Sequence, residues 1–358
     1  SRGHHGGLYQ ACGAVYLGTS SAPAPGDVPK HRYLFMLAGA RALPVAPASR
    51  PYPKPDVLPE IPQRSELELR SLALTLEFEG CVAVYDTGPH TSVGQHGSRR
   101  FLLDKVRSWA GVTGRINQRP GKDFFNWLAV GPEAIALCRQ VGPHLIFKAG
   151  QAGAVIRYPL GRQGVRLPPE MIAERRGLVD LTHKLNMTGA RASLPLGAAE
   201  RAAGWLAAVE KMPEEWRLQL LAASIDWEGT ITISRFNQKA AERGYSFTPV
   251  VRLSQVGWRV LLLEIVRKLA GGVGDIHDTG RRGASLPAGW APMKAWSVGG
   301  AEAVALAQKL APAMAAKREQ AAAVAAYPLW AQGRAAVPEA IFAERERLFE
   351  VCKAANAR

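Results

Sequence analysis

Residues 72–80 read LALTLEFEG and residues 221–229 read LAASIDWEG, so one nine-residue pattern occurs twice in a chain of 358 residues. Each copy predicts an apolar helix that ends in acid-x-acid-Gly and leads into a β-rich segment. Glycine commonly follows a helix C-terminus, but a carboxylate there lies at the negative pole of the helix dipole. Two such acidic helix ends indicate that a positive partner lies opposite them, and a divalent metal ion would fill this role.

The sequence that follows each motif is also repeated, in the same order. The two copies are 149 residues apart at the motifs and 169 apart at Lys148 and Lys317, so the second copy carries insertions. Periodicity predicts that each copy forms a helix, a hairpin, a helix, a hairpin and a helix, and therefore an α+β protein. The other matched segments are Trp127 with Trp296, residues 158–160 with 327–329, and residues 173–176 with 343–346.

This arrangement resembles the LAGLIDADG homing endonucleases in their single-chain form, in which two fused repeats replace a homodimer. The resemblance extends from about residue 69 to the C-terminus, and residues 95–116 are similar to the branch encoded in green-algal organellar introns. It implies two tandem αββαββα repeats about a pseudo-twofold axis, with two antiparallel sheets forming a saddle over nucleic acid. It also implies a monomer with internal pseudo-symmetry.

The resemblance assigns functional residues by position. Glu79 and Glu228 match the acids that bind metal and cut one strand each, so the expected cofactor of an active enzyme is Mg²⁺. A carboxylate-held Mg²⁺ activates water and offsets the developing charge on the phosphate, and a neighbouring lysine adds to this effect. The remaining catalytic candidates, which would orient water and phosphate, are Lys148, Lys317, Gln95 and Gln255. The candidates for nucleic-acid contact are Arg99, Arg100, Arg235, Asn237, Gln238, Lys239, Arg243, Arg252 and Arg259.

Three departures from the family pattern point away from an active, site-specific nuclease. Both metal-binding candidates are Glu, whereas the family usually has Asp in at least one copy, and Leu74 replaces a small residue of the motif helix. The first hairpin is shorter, because 16 residues separate Glu79 from Gln95 whereas 27 separate Glu228 from Gln255. Groups that could hydrogen-bond to bases are also lost there. The outward positions Cys81, Ala83 and Tyr85 correspond to Thr230, Thr232 and Ser234.

Composition favours a polyanionic partner. The chain has 45 Lys and Arg against 30 Asp and Glu, a net charge of +15, and no apolar run long enough for a membrane span. The basic residues of the second hairpin are expected where the saddle meets phosphate, with residues 237 and 238 at its tip. The four cysteines are scattered, which favours a reducing compartment and argues against structural zinc.

The predicted organisation has three parts. Residues 1–65 form an N-terminal extension with a proline-rich tether, residues 66–190 the first repeat with its trailing helix, and residues 191–358 the second repeat with its own. The chain starts at Ser1 and is rich in Ala and Arg, which fits a protein that has lost an organellar presequence. We therefore expect an organellar location, in the mitochondrial matrix rather than the chloroplast stroma.

Two functions remain open from the sequence. The main hypothesis is a binding protein that keeps the endonuclease fold and is recruited to organellar RNA, either ribosomal RNA or an intron. Such a protein would be a structural component of a ribonucleoprotein, with ribosomal proteins as further partners. The alternative is an active monomeric, Mg²⁺-dependent endonuclease that cuts double-stranded DNA. The retained acids and lysines favour the enzyme, whereas the reduced first hairpin, Leu74 and the N-terminal extension favour the binding protein.

Overall fold

The computed structural model describes residues 14–19, 31–35, 58–111, 113–161, 167–188, 194–237, 243–279, 292–330 and 336–356. The chain divides into two compact units, Ser1–Tyr52 and Pro53–Arg358. In the first unit, strands β1 (Ala14–Thr19) and β2 (His31–Phe35) pair antiparallel, with a bulge between Tyr16 and Gly18. Most of the predicted proline-rich tether falls on residues 36–57, which lie outside the described residues.

The second unit contains two copies of the same succession of elements. The first copy consists of α1 (Glu66–Glu79), β3 (Gly80–Tyr85), β4 (Gly88–His96), α2 (Arg100–Trp109), β5 (Arg115–Gln118), β6 (Phe124–Val130), α3 (Pro132–Val141), α4 (Ala149–Arg157) and α5 (Pro169–Thr188). A connecting helix, α6 (Ala198–Lys211), precedes the second copy. That copy consists of α7 (Glu214–Glu228), β7 (Gly229–Asn237), β8 (Tyr245–Val256), α8 (Val260–Leu269), β9 (Asp275–Asp278), β10 (Met293–Gly299), α9 (Gly300–Leu310), α10 (Arg318–Ala325) and α11 (Glu339–Asn356).

The two sheets have the same topology. Their strand orders are β3-β4-β6-β5 and β7-β8-β10-β9, and all neighbouring strands are antiparallel. This confirms the predicted α+β fold of two αββαββα repeats. The first hairpin is also shorter, as predicted: β3 and β4 have 6 and 9 residues, whereas β7 and β8 have 9 and 12.

The motif helices α1 and α7 pack against each other in the core of the second unit. Every residue from Leu72 to Phe78 is buried, which is why this helix is apolar on all sides rather than on one face. Leu74 is 1% exposed and its counterpart Ala223 is 9% exposed. The larger residue at position 74 is therefore accommodated within the packed pair. The N-terminus of α1 has a capping box between Ser65 and Glu68.

The glycine after each motif helix is required by close packing rather than by a left-handed backbone. Gly80 and Gly229 are extended, with φ of −84° in both. A Cβ atom on Gly80 would lie 2.6 Å from the Cα atom of Leu76, and one on Gly229 would lie 2.8 Å from that of Ile225. The chain can thus turn directly from helix into strand only if this residue has no side chain.

Matched residues of the two repeats make matched contacts. The indole N–H groups of Trp127 and Trp296, both fully buried, donate to the carbonyl oxygens of Thr113 and Val273 at 2.9 Å each. These two tryptophans are therefore core residues. None of the described helices is long and apolar enough to cross a membrane.

The trailing helices α5 and α11 are held by equivalent arginines. Arg175 donates to the carbonyl oxygen of Pro159 and stacks over Tyr158, with its guanidinium carbon 4.8 Å from the ring centre. In the second repeat Arg345 donates to the carbonyl oxygen of Pro328 and stacks over the equivalent tyrosine at 4.9 Å. The two repeats are therefore equivalent even in the individual contacts that hold their trailing helices.

Candidate active site

Glu79 and Glu228 are the last residues of α1 and α7, and their carboxyl groups lie close enough to influence each other's ionisation. Because α1 and α7 are packed together, the two chain turns at Gly80 and Gly229 lie side by side. Glu79 is open to solvent and Glu228 is half-buried. The prediction that these two acids meet at the ends of paired helices is therefore confirmed.

The two carboxyl groups perturb each other's ionisation. Partial burial and the neighbouring Glu228 carboxylate raise the pKa of Glu79 to about 7, although Lys148 and Lys317 act in the opposite direction. Burial also raises the pKa of Glu228, against the influence of the Arg259 guanidinium. Two neighbouring carboxyl groups whose pKa values are both raised favour a shared proton or a cation between them.

The first acid of the first motif has a different role. Glu77 is 1% exposed, and its Oε1 atom accepts the backbone N–H groups of Ile146, Phe147 and Lys148 at 2.8, 2.9 and 3.1 Å. These N–H groups lie just before α4, at the positive end of the helix dipole. Glu77 therefore anchors the start of α4 against the end of α1.

Asp226 makes the same anchor in the second repeat. It is 3% exposed and accepts the backbone N–H groups of Ala315, Ala316 and Lys317 at 2.8, 2.9 and 3.0 Å, just before α10. The sequence analysis selected Glu79 and Glu228 by position and assigned no role to Glu77 and Asp226. The available signal was their spacing, because residues i and i+2 lie on nearly opposite sides of a helix.

Lys148 and Lys317 bind the C-termini of the motif helices. The Nζ atom of Lys148 donates to the carbonyl oxygens of Leu76, Glu77 and Gly80, the last two at 3.1 and 2.6 Å. These bonds use all three of its N–H groups. Burial, and next the Arg259 guanidinium, lowers the pKa of Lys148 to about 8.

The Nζ atom of Lys317 donates to the carbonyl oxygens of Ile225 and Asp226 at 2.5 and 3.0 Å. Within the described part of the chain it makes no third bond, so one N–H group remains for another acceptor. Burial, and next the charge of Arg99, lowers the pKa of Lys317 to about 8. Both lysines thus supply positive charge at the acidic helix ends, and only Lys317 keeps a donor.

Arg99 and Arg259 each lie next to residues of the other repeat. Arg259 donates to the carbonyl oxygen of Glu77, lies 3.4 Å from its carboxylate, and stacks over Phe147 and Trp258. Arg99 is close enough to Lys317 to lower the pKa of that lysine. Each arginine therefore lies beside the lysine of the other repeat. Gln95 and Gln255 are buried near the ends of β4 and β8, just before the 3₁₀ turns that carry these arginines.

Two of the arginines predicted to face phosphate also have partners within the chain. Arg235 shares the inner face of β7 with Ile231 and Ile233, and its guanidinium lies over the rings of Tyr245 and Phe349 at 5.3 and 5.8 Å. Arg243 forms an ion pair with Glu339 of α11 and stacks over a ring of the same helix at 4.4 Å. Both side chains are exposed and have partners on α11, and their contact with phosphate stays a prediction.

The other predicted contact residues are placed as follows. Arg252 lies on the outer face of β8, between the buried Val251 and Leu253. Asn237 is exposed at the end of β7, and Arg100 is exposed with its guanidinium 5.3 Å from a phenylalanine ring of β6. Gln238 and Lys239 lie outside the described residues.

The donor set fits a cation that is completed by substrate. No group of three or more His, Cys, Asp or Glu side chains that could hold a metal occurs among the described residues. Mg²⁺ commonly binds through one or two carboxylates, with water and substrate phosphates as the remaining ligands. The pair formed by Glu79 and Glu228, open to solvent on one side, matches that pattern.

No protein-family model and no curated protein matches the chain. Among solved structures, the chain is similar to the LAGLIDADG meganuclease I-AabMI bound to uncleaved DNA. The identity is 14%, the match covers 79% of this chain and 98% of that one, and the TM-score is 0.50. The fold is that of the single-chain LAGLIDADG homing endonucleases.

Two further matches to the LAGLIDADG fold have lower TM-scores. The meganuclease I-SmaMI bound to uncleaveable DNA has 17% identity, coverage of 82% and 96%, and a TM-score of 0.48. The homing endonuclease I-LtrWI bound to target DNA has 14% identity, coverage of 81% and 91%, and a TM-score of 0.43. The fold rests on the match to I-AabMI, and the assignment of a function depends on the site itself.

Proposed function

We propose that this protein is a metal-dependent endonuclease that acts on double-stranded DNA. The observation that carries the proposal is the proximity of Glu79 and Glu228 at the ends of two packed helices, with the cationic side chains of Lys148, Lys317 and Arg259 near them. Two carboxyl groups are held together where a shared proton or a cation must compensate their charge. The nucleases with this fold that were compared include proteins bound to DNA, which favours duplex DNA as the substrate.

The acids and the lysines of the site have different roles in the proposed reaction. Glu79 and Glu228 would hold a divalent cation, which supplies a Lewis acid and lowers the pKa of water when it is bound. Lys317, whose Nζ atom binds only two carbonyl oxygens among the described residues, would donate its remaining N–H group to a phosphate oxygen and stabilise the charge that develops there. Lys148 acts through its charge, because its three N–H groups are already bonded to the helix end.

Glu77 and Asp226 position the two lysines. Each acid binds the backbone N–H group of the lysine itself, at 3.1 Å for Lys148 and 3.0 Å for Lys317. The lysine side chain then returns to the carbonyl oxygens of the same motif helix. Each lysine is therefore fixed at both its backbone and its ammonium group, as a preorganised site requires.

The hypothesis of organellar RNA, ribosomal or intronic, has no support from the comparisons, which include DNA-bound nucleases. Ribosomal-protein partners and a mitochondrial location likewise remain predictions from the sequence. Mg²⁺ itself is also a proposal, although one structure of I-SmaMI with its uncleaved DNA target was obtained in the presence of calcium ions. The DNA endonuclease, which was the alternative from the sequence, is the better-supported function.

The test is cleavage of a plasmid library with randomised inserts. The wild-type protein with Mg²⁺ should linearise a subset of plasmids, and EDTA should prevent this. Glu79→Gln and Glu228→Gln should abolish double-strand cleavage. Glu214→Gln, at the opposite end of α7 and paired with Lys309 at the surface, should cut like the wild type. Uncut DNA with Mg²⁺ and with Mn²⁺, together with retention of structured RNA, would refute the nuclease and favour the RNA-binding hypothesis.

A further inference from the structure

One row of residues crosses the outer face of the second sheet, the face turned away from the helices. Strand register places Arg252 of β8 between Thr230 of β7 and Ser297 of β10, with Asp275 of β9 next to Ser297. We call these four residues the Arg252 row. Its members are exposed or half-buried, whereas Ile231, on the strand of Thr230, is fully buried on the opposite face.

The equivalent row of the first sheet has different chemistry. The same register aligns Cys81, Ser92 and Leu128, with Arg115 on the edge strand β5. Ser92 therefore takes the place of Arg252, and Arg115 takes the place of an acid. The centre of the first row carries one hydroxyl group beside a thiol and an isobutyl group, so it has few groups that distinguish one base from another.

No charged partner of Arg252 is found within the described part of the chain. Its Nε atom is buried and has no hydrogen-bond partner within the described part of the chain. Its nearest neighbours across the sheet are hydroxyl side chains, and no ion pair of Arg252 is found among the described residues. The side chain of Arg252 is half-buried on the outer face, and its terminal N–H groups, which no ion pair within the described part of the chain occupies, can bind a ligand there.

The row suits base edges better than the DNA backbone. Asp275 lies in the same row, and a carboxylate would be repelled by phosphate, although it can accept a hydrogen bond from cytosine. A guanidinium group binds O6 and N7 of guanine through two hydrogen bonds, whereas serine and threonine hydroxyls accept any base. Among the members of the row, Arg252 is therefore the one that can select a base strongly.

We propose that Arg252 reads a guanine in the DNA that faces the second repeat. This inference rests on the proposed function, because it assigns sequence readout within the same DNA complex. It differs from the expectation that Arg252 contacts phosphate. The second repeat then carries a selective contact at a position where the first repeat has only Ser92.

The test is selection of bound sequences from a pool of randomised DNA duplexes, followed by sequencing. In the wild-type pool, one position should be enriched in guanine. Arg252→Ala should remove that enrichment, while preferences at other positions remain. Discrimination against other bases at this position should fall about 5- to 150-fold, the range of one bidentate contact. Arg252→Lys should keep part of the preference for guanine at this position, and Arg115→Ala in the first sheet should keep all of it.

A different result separates the inference from the proposed function. If Arg252→Ala weakens binding to every sequence equally and lowers the salt dependence by about one phosphate contact, Arg252 contacts the backbone and the inference is wrong. An unchanged base preference would also refute it, while metal-dependent cleavage stands. If the wild-type protein binds no duplex DNA, the inference and the proposed function both fail.

Discussion

The two anchoring acids, Glu77 and Asp226, should differ in how well they tolerate an amide. Glu77 uses one oxygen, Oε1, for all three backbone N–H groups, so the carbonyl oxygen of Gln can replace it there, with loss of the contact between Oε2 and the Arg259 guanidinium. Asp226 uses both oxygens, because Ala315 binds Oδ2 while Ala316 and Lys317 bind Oδ1. The amide of Asn must then turn its NH₂ group toward at least one buried N–H group.

The magnitudes follow from these hydrogen bonds. Hydrogen bonds to a charged group contribute about 1.5–3 kcal/mol and those between neutral groups about 0.5–1.5. Loss of the charge in Glu77→Gln should therefore lower the free energy of unfolding by about 2 kcal/mol. Asp226→Asn should lower the free energy of unfolding by the same amount for its lost charge. It also leaves a buried donor without an acceptor, which costs a further ~1–3 kcal/mol, so the total loss is about 4 kcal/mol.

The assay is urea denaturation of the wild type and both variants, with the melting temperature as a second measure. A loss of about 1 kcal/mol should lower the Tm by roughly 2 °C in a unit of this size. Glu344→Gln, an exposed residue of α11 paired with Arg347, is the control and should change stability by less than about 0.5 kcal/mol. If Glu77→Gln is the more damaging variant, or if both lie within about 0.5 kcal/mol of the wild type, the anchoring role is refuted.

Three further predictions concern ionisation, packing and charge. Cleavage should increase as the pH rises through about 7, because Glu79 must lose its proton to bind a cation, and decrease above about 8 as the two buried lysines lose theirs. A rate that is flat across this pH range would contradict this. Gly80→Ala should destabilise the fold by about 1–3 kcal/mol through its contact with Leu76, whereas Gly153→Ala, in open space within α4, should stabilise it by about 0.5–1 kcal/mol. Similar melting temperatures for the two variants would count against the close approach. Arg235→Ala should leave the salt dependence of DNA binding unchanged, since this arginine packs against aromatic rings; fluorescence anisotropy at several salt concentrations measures this, and a lower slope would show that Arg235 contacts phosphate.

The sequence predicted the elements that depend on local patterns. The repeated motif, the alternating strands and the order of matched segments supported the resemblance to the LAGLIDADG family, which implied the fold and the meeting of Glu79 and Glu228. The pairing of Lys148 with Lys317 is likewise borne out by their equivalent contacts with the ends of α1 and α7. A duplicated pattern is informative in this way because both copies must satisfy the same packing at one axis.

Features that depend on distant partners could not be predicted in the same way. The partner of Arg243, Glu339, lies 96 residues further along the chain, and no local pattern connects them. For Arg235 the information was present, because it follows Ile231 and Ile233 at a spacing of two residues and so shares their face. The burial of Glu77 required the position of α4, which only the tertiary structure supplies.

The most direct test of the central claim is whether the two helix-end carboxylates form one cation site. Titration of the protein with Mn²⁺ at a pH of about 8, where Glu79 is ionised, followed by electron paramagnetic resonance of the free ion, counts the sites and measures their affinity. We expect one site that Glu79→Gln and Glu228→Gln each weaken strongly and Glu214→Gln leaves unchanged, with a weaker affinity at a pH of about 6. Equal Mn²⁺ binding by the wild type and all three variants would show that these carboxylates do not hold the metal.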